Sequence, residues 1–181
     1  MLPPRIYTLL LLFLIPGAAL AQNDMMAEDM TDPVTQSLEG IHQMTAGTIV
    51  QTAEMLDEEM YAYRPTEDVR TTGQMLAHIA NAQYFFCSTA AGTPSPNEVN
   101  IEETATTKAE IVPALKEAFA YCDSVYASMT DAQAAEARDM FGNPMAASGV
   151  LAFNTTHNYE HYGNLVTYMR MNGIVPPSSQ Q

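Results

Sequence analysis

The chain has 181 residues, and 21 acidic against 7 basic residues give it a formal net charge of −14. A surface that acidic repels phosphate backbones and anionic lipid, which sets nucleic acid and membrane surfaces aside as partners. Hydrophobic residues make up 47% of the chain, enough for one domain of ordinary size with a sizeable core.

The N-terminus, "MLPPRIYTLLLLFLIPGAALAQND", carries one positive charge at Arg5, an apolar run from Ile6 to Ile15, and a small-residue stretch ending Ala19-Leu20-Ala21. This is the three-part pattern of a secretory signal peptide over residues 1–21, cleaved after Ala21. A membrane anchor needs about 20 continuous apolar residues, and Pro16-Gly17 interrupts the run well short of that. The mature chain is therefore expected to begin at Gln22 as a soluble protein, periplasmic or secreted. Residues 22–31, "QNDMMAEDMT", are acidic without a periodic apolar pattern and read as a flexible leader. In an exported chain the two cysteines, Cys87 and Cys122, are expected to be oxidised to a disulfide between antiparallel helices.

Four helices follow over residues 32–179. Asp32-Pro33 supplies an N-cap and a first-turn proline, and Val34, Leu38, Ile41, Thr45, Ile49, Thr52 and Met55 recur at helical spacing. Thr71 with Gln74 forms a capping box for the second helix, whose stripe is Met75, Leu76, Ile79, Ala82, Phe85 and Phe86 and which ends near Ala91-Gly92. Thr107 with Glu110 opens the third. Pro113 inside it predicts a kinked start or a later beginning of the regular part. Asn143-Pro144 opens the fourth, which Asn172-Gly173 stops. No stretch alternates with period two over several residues, so an all-α four-helix bundle is the expected architecture.

The fourth helix carries His157 and His161, and residues four apart project from one helix face about 5.4 Å apart, a spacing at which two imidazoles can share one ion. Both align with Val150, Asn154, Leu165 and Tyr168, the face expected to point inward, and His78 lies beside the inward stripe of the second helix. Burying three imidazoles without partners would be costly, whereas a shared metal removes that cost and leaves coordination positions open. His42 is read as a boundary residue with a solvated ring, the other readings being a group that faces the same cavity behind the ligands or a fourth ligand. "HNYEH" also fits the H-x-x-E-H signature of inverted zinc peptidases. Those enzymes take a third ligand from a downstream carboxylate, and no Asp or Glu follows His161 here. The third ligand must then lie upstream, and Glu160 is left as a proton-transfer or histidine-orienting group.

At these residues, "RTTGQMLAHIANAQYFFCS" and "HNYEHYGNLVTYMRMNGIVPPSS", the sequence resembles exported bacterial members of the DinB/YfiT-like superfamily over about residues 34–179. The resemblance implies a four-helix bundle, often dimeric, that holds a divalent metal, zinc or nickel, through His78, His157 and His161. Relatives so implied include thiol-dependent transferases and isomerases, but low-molecular-weight thiol cofactors belong to the cytosol, not to an exported protein. The leading expectation is a metal-dependent hydrolase of an unknown small-molecule substrate, with Glu160 handling the proton and Tyr84, Asn154 or Tyr168 lining the pocket. A noncatalytic metal-binding or envelope stress protein is the alternative, with thiol transfer as the third.

Overall fold

The computed structural model of the protein describes residues 31–180. The expected signal peptide, and the leader apart from Thr31, lie outside the described residues. Four long helices dominate: α1 (Pro33–Met55), α3 (Thr72–Ala91), α5 (Lys108–Ser128) and α7 (Ala147–Met171). Three short ones, α2 (Glu58–Ala62), α4 (Ile101–Thr104) and α6 (Asp131–Ala134), lie in the connections, with a hairpin of β1 (Ala137–Met140) and β2 (Asn143–Ala146) before α7. A 3₁₀ turn, Pro177–Ser179, follows α7. In the bundle α3 packs on α5 and α7, and α1 packs on the same two helices from the other side.

The capping signals in the sequence act largely as read. Thr71 Oγ1 accepts the Gln74 N–H at 3.2 Å while Gln74 Oε1 accepts the Thr71 N–H at 3.0 Å. At the other end of α3, Gly92 takes the left-handed conformation at φ 70° that favours glycine. Asp32 departs from expectation. Its side chain makes no bond to its own helix and instead accepts the Asp131 N–H at 2.7 Å. Asp131 returns the bond, accepting the N–H groups of Val34 at 3.1 Å and Thr35 at 2.9 Å. Two helix starts thus satisfy each other's orphan donors across the bundle.

Three expectations are corrected. The first half of the α1 stripe is off by one residue: Thr45, Ile49 and Thr52 are buried as read, but Thr35 and His42 are buried where Val34 and Ile41 are exposed, and Met55 is exposed too. Buried threonines are tolerated because their hydroxyls donate one turn back, Thr45 to Ile41 O and Thr52 to Thr48 O, each at 2.9 Å. On α3, Phe85 faces outward. Helix α5 runs from Lys108 through Pro113, so its regular part does not begin later. A proline there removes only the bond to the Ala109 carbonyl, and Ala109 is exposed, where solvent can bond that carbonyl.

The fourth helix begins at Ala147 rather than at Asn143-Pro144, which belongs to β2. Met140 pairs with Asn143 across a two-residue turn in which Phe141 and Gly142 both have positive φ, 53° and 79°. A two-residue hairpin of that type requires positive φ at both central positions. Strands of four residues are too short to show alternation, and Phe-Gly lacks the Asn or Asp that usually announces such a turn.

The core is apolar at both ends and polar across the middle. One cluster gathers around Ile49, Leu76, Ile79, Leu115 and Leu165; a second gathers around Phe86, Val125, Tyr126, Val150 and Leu151. Near their junction lie His42, Gln83, Asn154 and Asn158, all fully buried. Cys87 and Cys122 are disulfide-bonded in this region, with Cα atoms 5.4 Å apart, and tie α3 to α5. The bridge closes a loop of sequence separation 35. On chain entropy it should contribute about 3–4 kcal/mol. Urea unfolding of the Cys87→Ala/Cys122→Ala variant should show a loss of that size, and the unreduced protein should offer no reactive thiol when unfolded.

Candidate metal centre

Helices α3 and α7 run antiparallel, and polar side chains set their register. Tyr168 donates to the Arg70 carbonyl at 3.1 Å. Further along α3, Gln83 Nε2 donates to Asn158 Oδ1 at 2.7 Å, and Asn154 Nδ2 donates to Gln83 Oε1 at 3.0 Å. Asn154 Nδ2 also lies 3.4 Å from Cys122 Sγ. Between these contacts His78 of α3 meets His157 and His161 of α7.

The three imidazoles converge through their Nε2 atoms. His157 Nε2 lies 3.2 Å from His78 Nε2 and 2.9 Å from His161 Nε2, and one ligand atom from each residue falls within 4.8 Å of the others. A neutral imidazole nitrogen is a donor or an acceptor, never both, so His157 Nε2 cannot satisfy both contacts by ordinary hydrogen bonding. A cation accepting three lone pairs would. Nitrogens about 2.0–2.1 Å from one ion, at angles of about 90–109°, are separated by about 2.8–3.4 Å, which spans both contacts. The residues present therefore fit a divalent ion.

The electrostatics agree. Burial, followed by the neighbouring His161 and His78, pushes His157 down to about 3. Burial and then His78 push His161 down to about 4. Burial, with Arg70 next, also lowers His78. The rings are neutral at physiological pH, the state a metal ligand needs. His78 is oriented from behind: its Nδ1 faces Glu102 Oε2 at 3.4 Å, and Glu102 Oε1 accepts Arg70 Nε at 2.7 Å. Glu102 reaches this position because Asn81, on α3 just after His78, accepts the Ile101 N–H at 2.9 Å and donates to Asn100 Oδ1 at 2.6 Å. The Nδ1 atoms of His157 and His161 are buried without a hydrogen-bond partner among the described residues.

Other residues singled out in the sequence are placed differently. His42 is fully buried rather than solvated and is not one of the three converging histidines. Its ring stacks on Tyr126 at 4.2 Å, and its Nε2 lies 3.1 Å from Asp123 Oδ1, off the direction a hydrogen bond needs. Glu160 is exposed and makes no hydrogen bond to the cluster among the described residues, although its charge reaches His161 and His78. Tyr168 lines the cavity beside His161, Tyr84 lines a separate one, and Asn154 is buried in the polar layer. Glu102 and Arg70 escaped the sequence reading because nothing distinguishes them there from surface charges.

Each lowered histidine binds its proton more weakly folded than unfolded. For the metal-free protein this gives stability that is full above about pH 6.5 and falls as pH drops through about 4 and 3. Thermal melts of the metal-free protein from pH 7 to pH 4 should show that loss. The His157→Ala variant should show a shallower slope.

Comparison with known proteins agrees with this architecture. The DinB superfamily profile matches residues 43–165. A DinB-like protein of Bacillus subtilis has a similar fold at TM-score 0.64 and 21% identity, covering 80% of this chain and 98% of that one. A second, from Bacillus cereus ATCC 10987, aligns at TM-score 0.66 and 20% identity, over 77% of this chain and 95% of its own. Among curated proteins, none matches the chain significantly. With more than half its length matched, a bundle of four long helices and three histidines gathered between two of them, the chain belongs to the DinB superfamily.

Proposed function

We propose that the protein is an exported, metal-dependent hydrolase of a small-molecule substrate, with zinc or nickel held by His78, His157 and His161. The observation that carries this reading is the convergence of three neutral imidazoles from two helices beside an open cavity lined by His161. Export is supported by the signal-peptide pattern of residues 1–21 and by the Cys87–Cys122 disulfide, a bond typical of oxidising compartments. Among the described residues no helix is long and apolar enough to cross a membrane.

A divalent ion with three protein ligands supplies a Lewis acid and makes water nucleophilic near neutral pH. Glu102 fixes the ring plane of His78 by facing its Nδ1–H, and Arg70 holds Glu102 in place. Glu160, solvent-exposed and within electrostatic reach of His161, accepts the proton that a hydrolytic attack releases and passes it to solvent. Tyr168 holds the Arg70 segment against α7, closing one side of the cavity. The competing reading, an ion that only staples α3 to α7, asks for a closed shell of four protein ligands. No fourth His, Cys, Asp or Glu joins the group among the described residues.

Protein recovered from its native envelope should carry about one divalent ion per chain by elemental analysis. His157→Ala and His78→Ala should each lose the ion and, with it, any hydrolysis of an ester, amide and phosphoester panel. His42→Ala should keep the ion, because its ring lies outside the converging set. Retention of the ion by His157→Ala overturns the ligand assignment, and hydrolysis that survives complete chelation overturns the proposed activity.

A further inference from the structure

Beside His161 lies a cavity of about 540 Å³ in which Arg70 is the only cationic lining residue. The chain has 7 basic residues in all, so a guanidinium next to a set of metal ligands runs against both its composition and simple Coulomb repulsion. The pairing of Arg70 leaves most of its donor capacity unused. Its Nε donates to Glu102 Oε1 at 2.7 Å, but Glu102 Oε2 is turned to His78 Nδ1 at 3.4 Å. A side-on pair would have engaged a second guanidinium nitrogen with that oxygen. Both Nη groups are consequently without a hydrogen-bond partner among the described residues, on a side chain 40% exposed. Gln74 and Asn164 line the same cavity, and their amide nitrogens likewise make no hydrogen bond among the described residues.

We propose that Arg70, assisted by the Gln74 and Asn164 amides, recognises an oxyanion, a carboxylate or phosphate, carried by the substrate. The inference rests on the metal-site reading of the three histidines and adds a substrate class to it. Formal charge favours it: with a divalent ion in place, Arg70 and the ion outweigh the lining carboxylates Asp68 and Glu102 by one unit. The cavity becomes a positive spot on a protein of net charge −14, and an anion entering it is the group that relieves the repulsion between guanidinium and metal. Planar oxyanions also suit the guanidinium fork.

The test is calorimetric titration of inorganic phosphate into cobalt-loaded protein, with neutral imidazole as a control ligand. Wild type should bind phosphate saturably, and Arg70→Gln at least about tenfold more weakly, the loss expected for one charge-assisted contact. Arg70→Lys, which keeps the charge but not the fork, should fall between them. Because Arg70→Gln also frees Glu102 behind His78, imidazole affinity is measured on each cobalt-loaded variant, and the phosphate loss should exceed the imidazole loss by about tenfold. Undetectable phosphate binding by wild type, or equal affinity in Arg70→Gln, overturns the inference. So does a phosphate loss no larger than the imidazole loss, which would make Arg70 only a support for Glu102. If wild type takes up no cobalt, the metal reading has failed instead. The same titration on metal-free protein then decides this one, since phosphate binding that is absent or indifferent to Arg70→Gln overturns it.

Discussion

Three imidazole nitrogens can share one point only if α3 and α7 keep a single register and a single rotation, and much of the interior serves that constraint. A slip of one residue would carry His157 and His161 about 100° around the helix and out of reach of His78. The register is held on both sides of the histidines: by Tyr168 on the Arg70 carbonyl, and by Gln83 between Asn154 and Asn158. Directional polar contacts specify alignment better than leucines, which tolerate sliding.

That specification has a cost in stability. Asn154 Oδ1, Asn158 Nδ2 and both His42 ring nitrogens are buried without a hydrogen-bond partner among the described residues. Each unsatisfied polar group costs about 1–3 kcal/mol. Offsetting it are the two apolar clusters and the disulfide, which lies within the second of them. The site thus sits where the core is least oily, between two halves that are.

The connections complete what the long helices begin. Helix α4 has only four residues, yet Asn81 pins its start so that Glu102 lands behind His78. Across the cavity, the segment before α3 delivers Arg70 to the same carboxylate. Side chains from separate parts of the chain are thereby linked behind the His78 ring, the long helices supplying the imidazoles and the connections their polar partners.

Much of this was legible in the residues themselves. Capping boxes at Thr71 and Thr107, the stop at Gly92 and the apolar periodicity of α3 and α5 are local codes, set by bonds within one turn of chain, and they define the long helices. The spacing of His157 and His161 is local too, so their shared face follows from helix geometry alone. The hairpin was hidden because four-residue strands show no period, and the burial of Thr35 and His42 because each stands beside an apolar residue, Val34 and Ile41, that reads as the core position. What no local pattern contains is which face meets which: the burial of His42 against Tyr126, and the pairing of Glu102 with both His78 and Arg70. Those depend on contacts between residues far apart in the chain, and such contacts exist only once the helices have packed. Sequence alone therefore determined most of the four long helices and the shared face of His157 and His161, while packing decided the neighbours of His78, the charge of the cavity and its opening to solvent.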